Sequence, residues 1–265
     1  MSESWLTVRH NDAPLIVSLP HAGLELPSDC AAGLVSADLA RRDADWYVDQ
    51  LYAFADDFGA TIVRTAVSRT VIDVNRDPSG ASLYPGQATT GLVPTETFDG
   101  RQLYRDGAAP TPQEVECRKQ LYFAPYHAAL AQELARLRGL HKRVILYDAH
   151  SIRSAIPRLF PGELPIFNIG SNAGKACDPT LIERIAVICA GSRWSHVVDG
   201  RFKGGWITRA YGRPADGVHT VQMELAMRGY LLDESDPPRW DDDFASPIQN
   251  ILRKVLEACL TFARD

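Results

Sequence analysis

The chain has 265 residues, of which 45% are hydrophobic and 23% charged, and its formal net charge is −5. This composition is typical of a soluble globular protein and excludes disordered, collagen-like and coiled-coil classes. The net negative charge argues against nucleic-acid and anionic-membrane partners, and no apolar run approaches the ~20 residues of a membrane helix. We therefore expect a cytoplasmic protein, and the sequence leaves its oligomeric state open.

The first part of the chain alternates short apolar runs with helical patterns. Residues 14–19 and 60–65 predict buried strands, and a helix capped by its first serine is predicted between them, over 36–58. Residues 71–75 predict another short extended run. The Gly-, Pro- and Thr-rich stretch 79–109 has no steady period, which is typical of a functional loop.

The second part continues the same alternation. A long helix is predicted over 112–138 with a kink near Pro125, and the clearest buried strand covers 143–148. The remaining predictions are strands over 164–168, 195–198, 206–211 and 218–224 and helices over 178–189 and 243–263. Strands separated by helices favour an α/β sandwich with a mostly parallel or mixed sheet. No linker interrupts the pattern, so we expect one domain over residues 1–265.

Two histidines follow predicted strands. His21 comes directly after the first strand, and His150 closes the strand that begins at residue 143. Asp148 lies two residues before His150, on the same side of an extended chain, and could orient it. Either histidine alone could be an ordinary hydrogen-bonded residue. Together they favour a metal centre, because a catalytic zinc commonly takes two histidines and one carboxylate and keeps a position for water.

The carboxylate ligand stays open at this point. Glu25 follows His21 by four residues, and Asp43, Asp45 and Asp49 form a cluster early in the predicted helix. Asp45 lies beside Trp46 on the potentially buried side, but it could equally form a surface ion pair.

Glu224 is the candidate general base. It ends an otherwise buried-looking strand, where a carboxylate is costly unless it is used or paired. A buried Glu with a raised pKa would suit proton transfer from a metal-activated water. The alternative is a strand-edge side chain in solvent.

Several arginines accompany these strands: Arg69, Arg76, Arg153, Arg158, Arg201, Arg209 and Arg213. Arginine binds carboxylates through a planar fork, so such a set suggests a small acidic substrate with two carboxylates. Each arginine taken singly could instead form a structural ion pair.

Six motifs, in order along the chain, carry a resemblance to a known family. They are Pro20–Gly23, Ser68–Pro78, Leu83–Gly86, Tyr147–Arg153, Gly200–Gly205 and Val221–Leu225. Over about residues 14–260 the sequence resembles the N-formylglutamate amidohydrolases, which look related to the zinc carboxypeptidases. The resemblance implies a three-layer αβα sandwich with a mixed, mostly parallel sheet.

The resemblance also implies a reaction and a set of functional residues. The reaction is metal-dependent hydrolysis of N-formyl-L-glutamate to formate and L-glutamate in histidine degradation. The implied metal is Zn²⁺, although the same ligands can take other divalent transition metals. The implied ligands are His21, Asp45 and His150, the implied base is Glu224, and the residues expected to bind the substrate are Arg69, Asn75, Arg76, Arg153 and Arg209. The carboxypeptidase HxxE spacing is missing because residue 24 is leucine, so Glu25 stays a rival of Asp45.

The loop around residues 84–98 is expected to form the wall of a small acyl pocket. Two other functions stay open. One is an amidohydrolase for another N-acyl acidic amino acid or a γ-glutamyl amide. The other is a non-catalytic binding protein for acidic amino acids.

Overall fold

Seven strands join into one sheet within the part of the chain that the computed structural model describes, residues 5–83, 86 and 89–265. They are β1 (Leu6–Arg9), β2 (Leu15–Leu19), β3 (Thr61–Thr65), β4 (Val144–Ile152), β5 (Phe167–Gly170), β6 (His196–Val198) and β7 (Val218–Ala226). Their order in the sheet is β1-β3-β2-β4-β7-β5-β6. The β1–β3 and β5–β7 pairs are antiparallel and the other pairs parallel, so the predicted mixed, mostly parallel sheet is confirmed.

Helices cover both faces of this sheet. The α-helices are α1 (Ser28–Ala31), α2 (Ala37–Arg41), α3 (Val48–Leu51), α4 (Pro112–Arg118), α5 (Ala124–Leu140), α6 (Pro179–Ala190), α7 (Trp206–Tyr211) and α8 (Asp242–Arg264). Helices α5 and α7 pack on one face, and α6 and α8 belong to the core on the other. The three layers of the predicted sandwich are therefore present. Among the described residues, no helix has both the length and the apolar character to cross a bilayer.

The two faces of the central strands differ in a way that positions the site. On β4, Ile145 and Tyr147 belong to the apolar core under α6 and α8. Leu146 faces the other way, into the core formed with α5. Further along that second face come Asp148 and His150, since alternate residues of a strand share a face. The α5 face thus changes from apolar to polar towards the carboxyl ends of the strands.

The helix predicted over 36–58 is broken into short pieces. Ser36 does cap a helix, since its Oγ accepts a hydrogen bond from the Leu39 N–H at 3.0 Å. That helix ends at Arg41, and Tyr47 has a left-handed backbone with φ of 58°. The break lets the Asp45 N–H donate to the His21 carbonyl at 3.0 Å. Residues 42–47, between α2 and α3, form turns, so the prediction of one helix over 36–58 was wrong.

Two predicted strands are also wrong. Residues 71–75 form buried turns, and residues 206–211 form helix α7. Helix α7 begins after Gly205, where Asn75 caps it. Asn75 is distant in sequence and accepts hydrogen bonds from the N–H groups of Trp206 and Ile207, the first two helical residues. Such a tertiary cap is invisible in the local pattern.

The long predicted helix over 112–138 is irregular at the expected place. A π-helical turn, Lys119–Phe123, separates α4 from α5, and Pro125 lies in the first turn of α5. Proline is tolerated there because the first turn leaves its N–H groups without intrahelical partners.

Candidate active site

Two imidazoles and one carboxylate meet where β2 and β4 end. Nδ1 of His21 lies 3.1 Å from Nδ1 of His150, and Oδ2 of Asp45 lies 3.7 and 3.1 Å from these two atoms. All three side chains are buried. Ligand atoms around a tetrahedral zinc ion, with bonds of about 2.0–2.2 Å, lie about 3.3 Å apart. The three side chains are therefore placed to hold one divalent ion together.

The outer nitrogen of each imidazole faces a further carboxylate. Nε2 of His21 lies 2.7 Å from Asp73, and Nε2 of His150 lies 3.0 Å from Asp148. When these nitrogens donate to the carboxylates, both Nδ1 atoms present lone pairs to each other and to Asp45. This carboxylate–histidine arrangement is the one that orients metal ligands. Buried lone pairs in such proximity need a proton or a metal ion between them, and the three donors together fit a metal.

The ionisation of the carboxylates agrees with this assignment. Burial opposes the charge of Asp45, but His21 and His150 hold its pKa below the usual range. Burial likewise opposes the charge of Asp73, whose pKa is held well below its usual range mainly by Arg69 and Arg76. Both groups are therefore ionised near neutral pH. In addition, Oδ1 of Asp45 is buried without a hydrogen-bond partner among the described residues.

Asn75 connects the parts of the site. Its side-chain nitrogen donates to Asp148 at 3.0 Å and lies 2.8 Å from Nε2 of His150. Its side-chain oxygen accepts from the Ile207 N–H at 2.7 Å. A Cβ on Gly205 would lie 2.6 Å from the Asn75 amide, so only glycine lets this turn approach so closely. Asn75 therefore fixes His150 and the start of α7 at the same time.

Glu224 lies beside the histidines on the next strand. It is paired with His150 in the β4–β7 register and is buried. The Gln222 side chain donates to Glu224 at 3.4 Å and accepts from the Gly205 N–H at 2.7 Å. Burial raises the pKa of Glu224 to about 8. A carboxyl group with such a pKa can both accept and return a proton near neutral pH.

These groups face a cavity of about 190 Å³. Besides His21, His150 and Glu224, residues 80–83 and 89–92 line it. Residues 89–92 belong to the loop around 84–98, which the sequence analysis expected to form the wall of a small acyl pocket. Tyr84, Pro85, Gln87 and Ala88, which belong to the same expectation, lie outside the described residues.

Two of the expected substrate-binding arginines line this cavity. Arg69 donates to Asp73 at 2.6 Å, lies 3.5 Å from Asp45 and is nearly buried. Arg76 donates to the carbonyl and hydroxyl of Thr90, both at 3.1 Å, and lies 3.6 Å from Asp73. Its side chain is 22% exposed, against 6% for Arg69. Arg76 is thus the more accessible of the two guanidinium groups.

The other two expected arginines make contacts elsewhere. Arg153 donates to Asp43 at 2.9 Å and lies 3.5 Å from Asp99. Nε of Arg209 donates to the Gly204 carbonyl at 3.0 Å. Neither is among the residues that form the cavity wall in the described part of the chain.

The candidate carboxylates lie in different places. Glu25 is exposed, and among the described residues its contacts are those of its backbone, in a bridge with Val67. Asp43 is held by Arg153, and Asp49 pairs with Arg64 at 2.8 Å. Of these candidates, only Asp45 joins the two histidines.

Three site residues received no role in the sequence analysis: Asp73, Arg201 and Gln222. Asp73 lies in the run that was predicted as a strand, which concealed its role beside His21. Its spacing from Arg69 and Arg76, four and three residues, is the signal that could have indicated a buried ion pair. Arg201 was one of seven arginines named from the sequence, and Gln222 was not singled out.

The fold and the site define an α/β protein with a candidate metal centre at the carboxyl ends of its strands. Residues 13–231 match the sequence profile of the family described as N-formylglutamate amidohydrolase. The chain belongs to the N-formylglutamate amidohydrolase family.

Similarity to individual proteins supports this family assignment. The chain is 44% and 45% identical to proteins named N-formylglutamate deformylase from Pseudomonas aeruginosa and Pseudomonas putida, over 98% of this chain and 97% of each relative. It is also similar to the crystal structure of an N-formylglutamate amidohydrolase from Ralstonia eutropha, with a TM-score of 0.79 and 25% identity. That alignment covers 97% of this chain and 96% of the other.

Replacing Asp73 by Asn should weaken metal binding. The amide can no longer hold the His21 ring as a carboxylate does, and changes of this kind typically reduce metal affinity by about 10- to 100-fold. The measurement is a competition titration of Zn²⁺ against a chromogenic chelator. The control is Asp49→Asn, whose carboxylate pairs with Arg64 away from the histidines. Equal zinc affinity in the two variants would contradict a role of Asp73 in orienting His21.

Replacing Gly205 by Ala should destabilise the fold. The new methyl group would overlap the buried Asn75 amide, and overpacking of this kind costs about 1–3 kcal/mol. Unfolding by denaturant measures the loss. Gly139→Ala is the matched control, because a Cβ at that helical position meets nothing within 4 Å and alanine favours helix formation. The prediction fails if both variants unfold at the same denaturant concentration as the parent protein.

Proposed function

We propose that this chain, acting as one domain over residues 1–265, hydrolyses N-formyl-L-glutamate to formate and L-glutamate. The observation that carries the proposal is the convergence of His21, His150 and Asp45 beside Glu224 in an arginine-lined cavity. The names of the Pseudomonas relatives support the choice of substrate. We further propose that the reaction belongs to histidine degradation in the cytoplasm.

We assign the metal position to His21, His150 and Asp45, and zinc is the ion that this ligand set suits best. A divalent ion there would supply Lewis acidity toward the formyl carbonyl and a water molecule. Asp73 and Asp148 keep the two rings in the orientation that presents Nδ1.

Glu224 moves the proton in this proposal. Its carboxylate accepts a proton from the water that adds to the formyl carbon, and it delivers that proton to the amide nitrogen as the C–N bond breaks. The products are formate and the free amino group of glutamate. The buried position next to His150 supports the role, because a carboxyl group shielded from bulk water is more basic than an exposed one.

Arg76 is our candidate for binding one substrate carboxylate. It lines the cavity and is more exposed than Arg69, whose charge is balanced by Asp73 and Asp45. Asn75 acts beside it in a different way from the expected direct contact. Its amide is already engaged by Asp148 and Ile207, so it supports Arg76 from the neighbouring position.

Replacing Glu224 by Gln should lower kcat by about 10²- to 10⁴-fold, because the amide cannot accept the proton. Metal content should stay at the parental level, since Glu224 is not one of the three clustered ligands. Steady-state release of formate and metal analysis of the purified proteins measure the two quantities. Glu183→Gln, on the exposed side of α6, is the control with unchanged turnover. Near-normal turnover by Glu224→Gln would remove this residue from the mechanism.

The substrate is tested with a panel of N-formyl, N-acetyl and N-succinyl glutamates, N-formyl-L-aspartate and a γ-glutamyl amide. We expect the highest kcat/KM for N-formyl-L-glutamate. Preference for another member of the panel would replace the proposed substrate by that one. Binding of acidic amino acids without any turnover, in a protein that purifies without metal, would identify a binding protein instead.

A further inference from the structure

A histidine outside the candidate metal group contacts two aromatic rings. His127 lies on α5, in the turn that follows the π-helical turn Lys119–Phe123, and is partly buried. The centroid of its ring lies 4.2 Å from that of Phe123, and the Tyr211 ring stacks on it with an interplanar angle of 10°. Single π-helical turns within helices are rare and are frequent at functional sites. No step of the proposed reaction uses His127.

The hydrogen bonds of His127 fix which of its nitrogens carries the proton. Nε2 lies 2.8 Å from the Val74 carbonyl, and Nδ1 lies 2.9 Å from the Tyr211 hydroxyl. A carbonyl can only accept, so Nε2 is protonated and donates. Burial lowers the pKa of His127 to about 4, so the ring is neutral near pH 7 and Nδ1 accepts from the hydroxyl. The imidazole thus joins α5 to Val74 and to the last residue of α7.

Val74 lies between two residues of the candidate site. Asp73 lies 2.7 Å from Nε2 of His21, and the Asn75 side-chain nitrogen lies 2.8 Å from Nε2 of His150. The Asn75 N–H also donates to the Asp73 carboxylate at 2.9 Å. The Val74 carbonyl and the Asn75 Cα belong to the same planar peptide unit. A donor that holds this carbonyl therefore also fixes where the Asn75 side chain begins.

Helix α7 is linked to this turn at both of its ends. At its start the Asn75 side-chain oxygen accepts from the Ile207 N–H at 2.7 Å. At its end Tyr211 contacts His127, which donates to Val74. A helix of six residues forms few internal hydrogen bonds and depends on tertiary contacts for its stability. The placement of α7 on the turn thus involves both links, and His127 supplies one of them.

We propose that His127 is a positioning residue for the candidate metal centre. Its imidazole holds the Val74 carbonyl and the end of α7, and thereby sets where the Asn75 amide meets the His150 ring. The kinetic part of this inference rests on the proposed function. The inference goes beyond that function because His127 is not among the described residues that line the cavity.

Three variants separate this role from a general contribution to stability. His127→Gln can place its amide nitrogen where Nε2 lies and donate to the Val74 carbonyl, whereas the shorter side chain of His127→Asn cannot reach it. Leu134→Ala is the control on the same helix. It opens a cavity in the apolar core under α5 and so destabilises the fold by a different route.

Zinc affinity is measured by competition titration of the metal-free proteins, at a temperature where circular dichroism shows each variant to be folded. We expect the affinity of His127→Asn to fall by about 10-fold, the lower end of the effect of residues that orient metal ligands. His127→Gln and Leu134→Ala should stay close to the parent protein.

Kinetics provide a second readout. With N-formyl-L-glutamate at saturating zinc, kcat of His127→Asn should fall by about 10- to 100-fold, because small displacements of reacting groups are costly. KM should change less, since Arg76 is held separately by Thr90. His127→Gln should restore most of the lost kcat, and Leu134→Ala should keep the parental value.

A loss of zinc affinity or of kcat in His127→Asn that His127→Gln restores supports the proposal. The proposal is overturned if His127→Asn keeps both parental values, or if His127→Gln loses as much as His127→Asn. It is also overturned if Leu134→Ala shows the same losses, because the effect would then follow stability alone. Failure of the proposed function has a different signature: the zinc affinities keep the expected order, but the parent protein releases no formate.

Discussion

The rest of the site depends on one electrostatic constraint, the close approach of three electron-rich atoms in the protein interior. Two imidazole nitrogens 3.1 Å apart and a carboxylate oxygen beside them repel one another unless a proton or a metal ion lies between them. A proton can satisfy only one pair of such atoms, whereas a divalent ion satisfies all three. Around this group the chain places Asp73 and Asp148, which orient the rings and add negative charge. Burial of these groups consequently costs stability, whereas their arrangement suits the binding of a metal ion.

The architecture of the sheet makes this cluster possible. One face of the central strands is apolar along its length, and the α5 face becomes polar only towards the carboxyl ends. The apolar part supplies the packing free energy that offsets the desolvation of the polar part. Asn75 then connects segments that no strand pairing joins, since its side chain contacts Asp148, His150 and the start of α7. The polar network is thus tied to the fold at several points, and its geometry is set before substrate binds.

The charge of the cavity wall differs from the charge of the whole molecule. The net charge of −5 describes the whole molecule, whereas the cavity wall carries Arg69, Arg76 and Arg201. The three arginines differ in their contacts. Arg69 contacts Asp45 and Asp73, so it links the cavity wall to the candidate metal group.

The sequence alone determined the α/β class, most strands and the longer helices, because these follow from local hydrophobic periodicity and from caps such as Ser36. It also singled out His21, His150 and Glu224, since polar residues at the ends of apolar strands stand out against their surroundings. The tertiary structure alone decided that Asp45 and not Glu25 lies beside the histidines, that residues 206–211 are helical, that Asp73 contacts His21 and that Arg201 lines the cavity. The physical reason is common to these cases. Each depends on a contact between segments distant in the chain, such as the hydrogen bond from Asp45 to the His21 carbonyl or the cap of α7 by Asn75, and local propensity carries no information about such contacts.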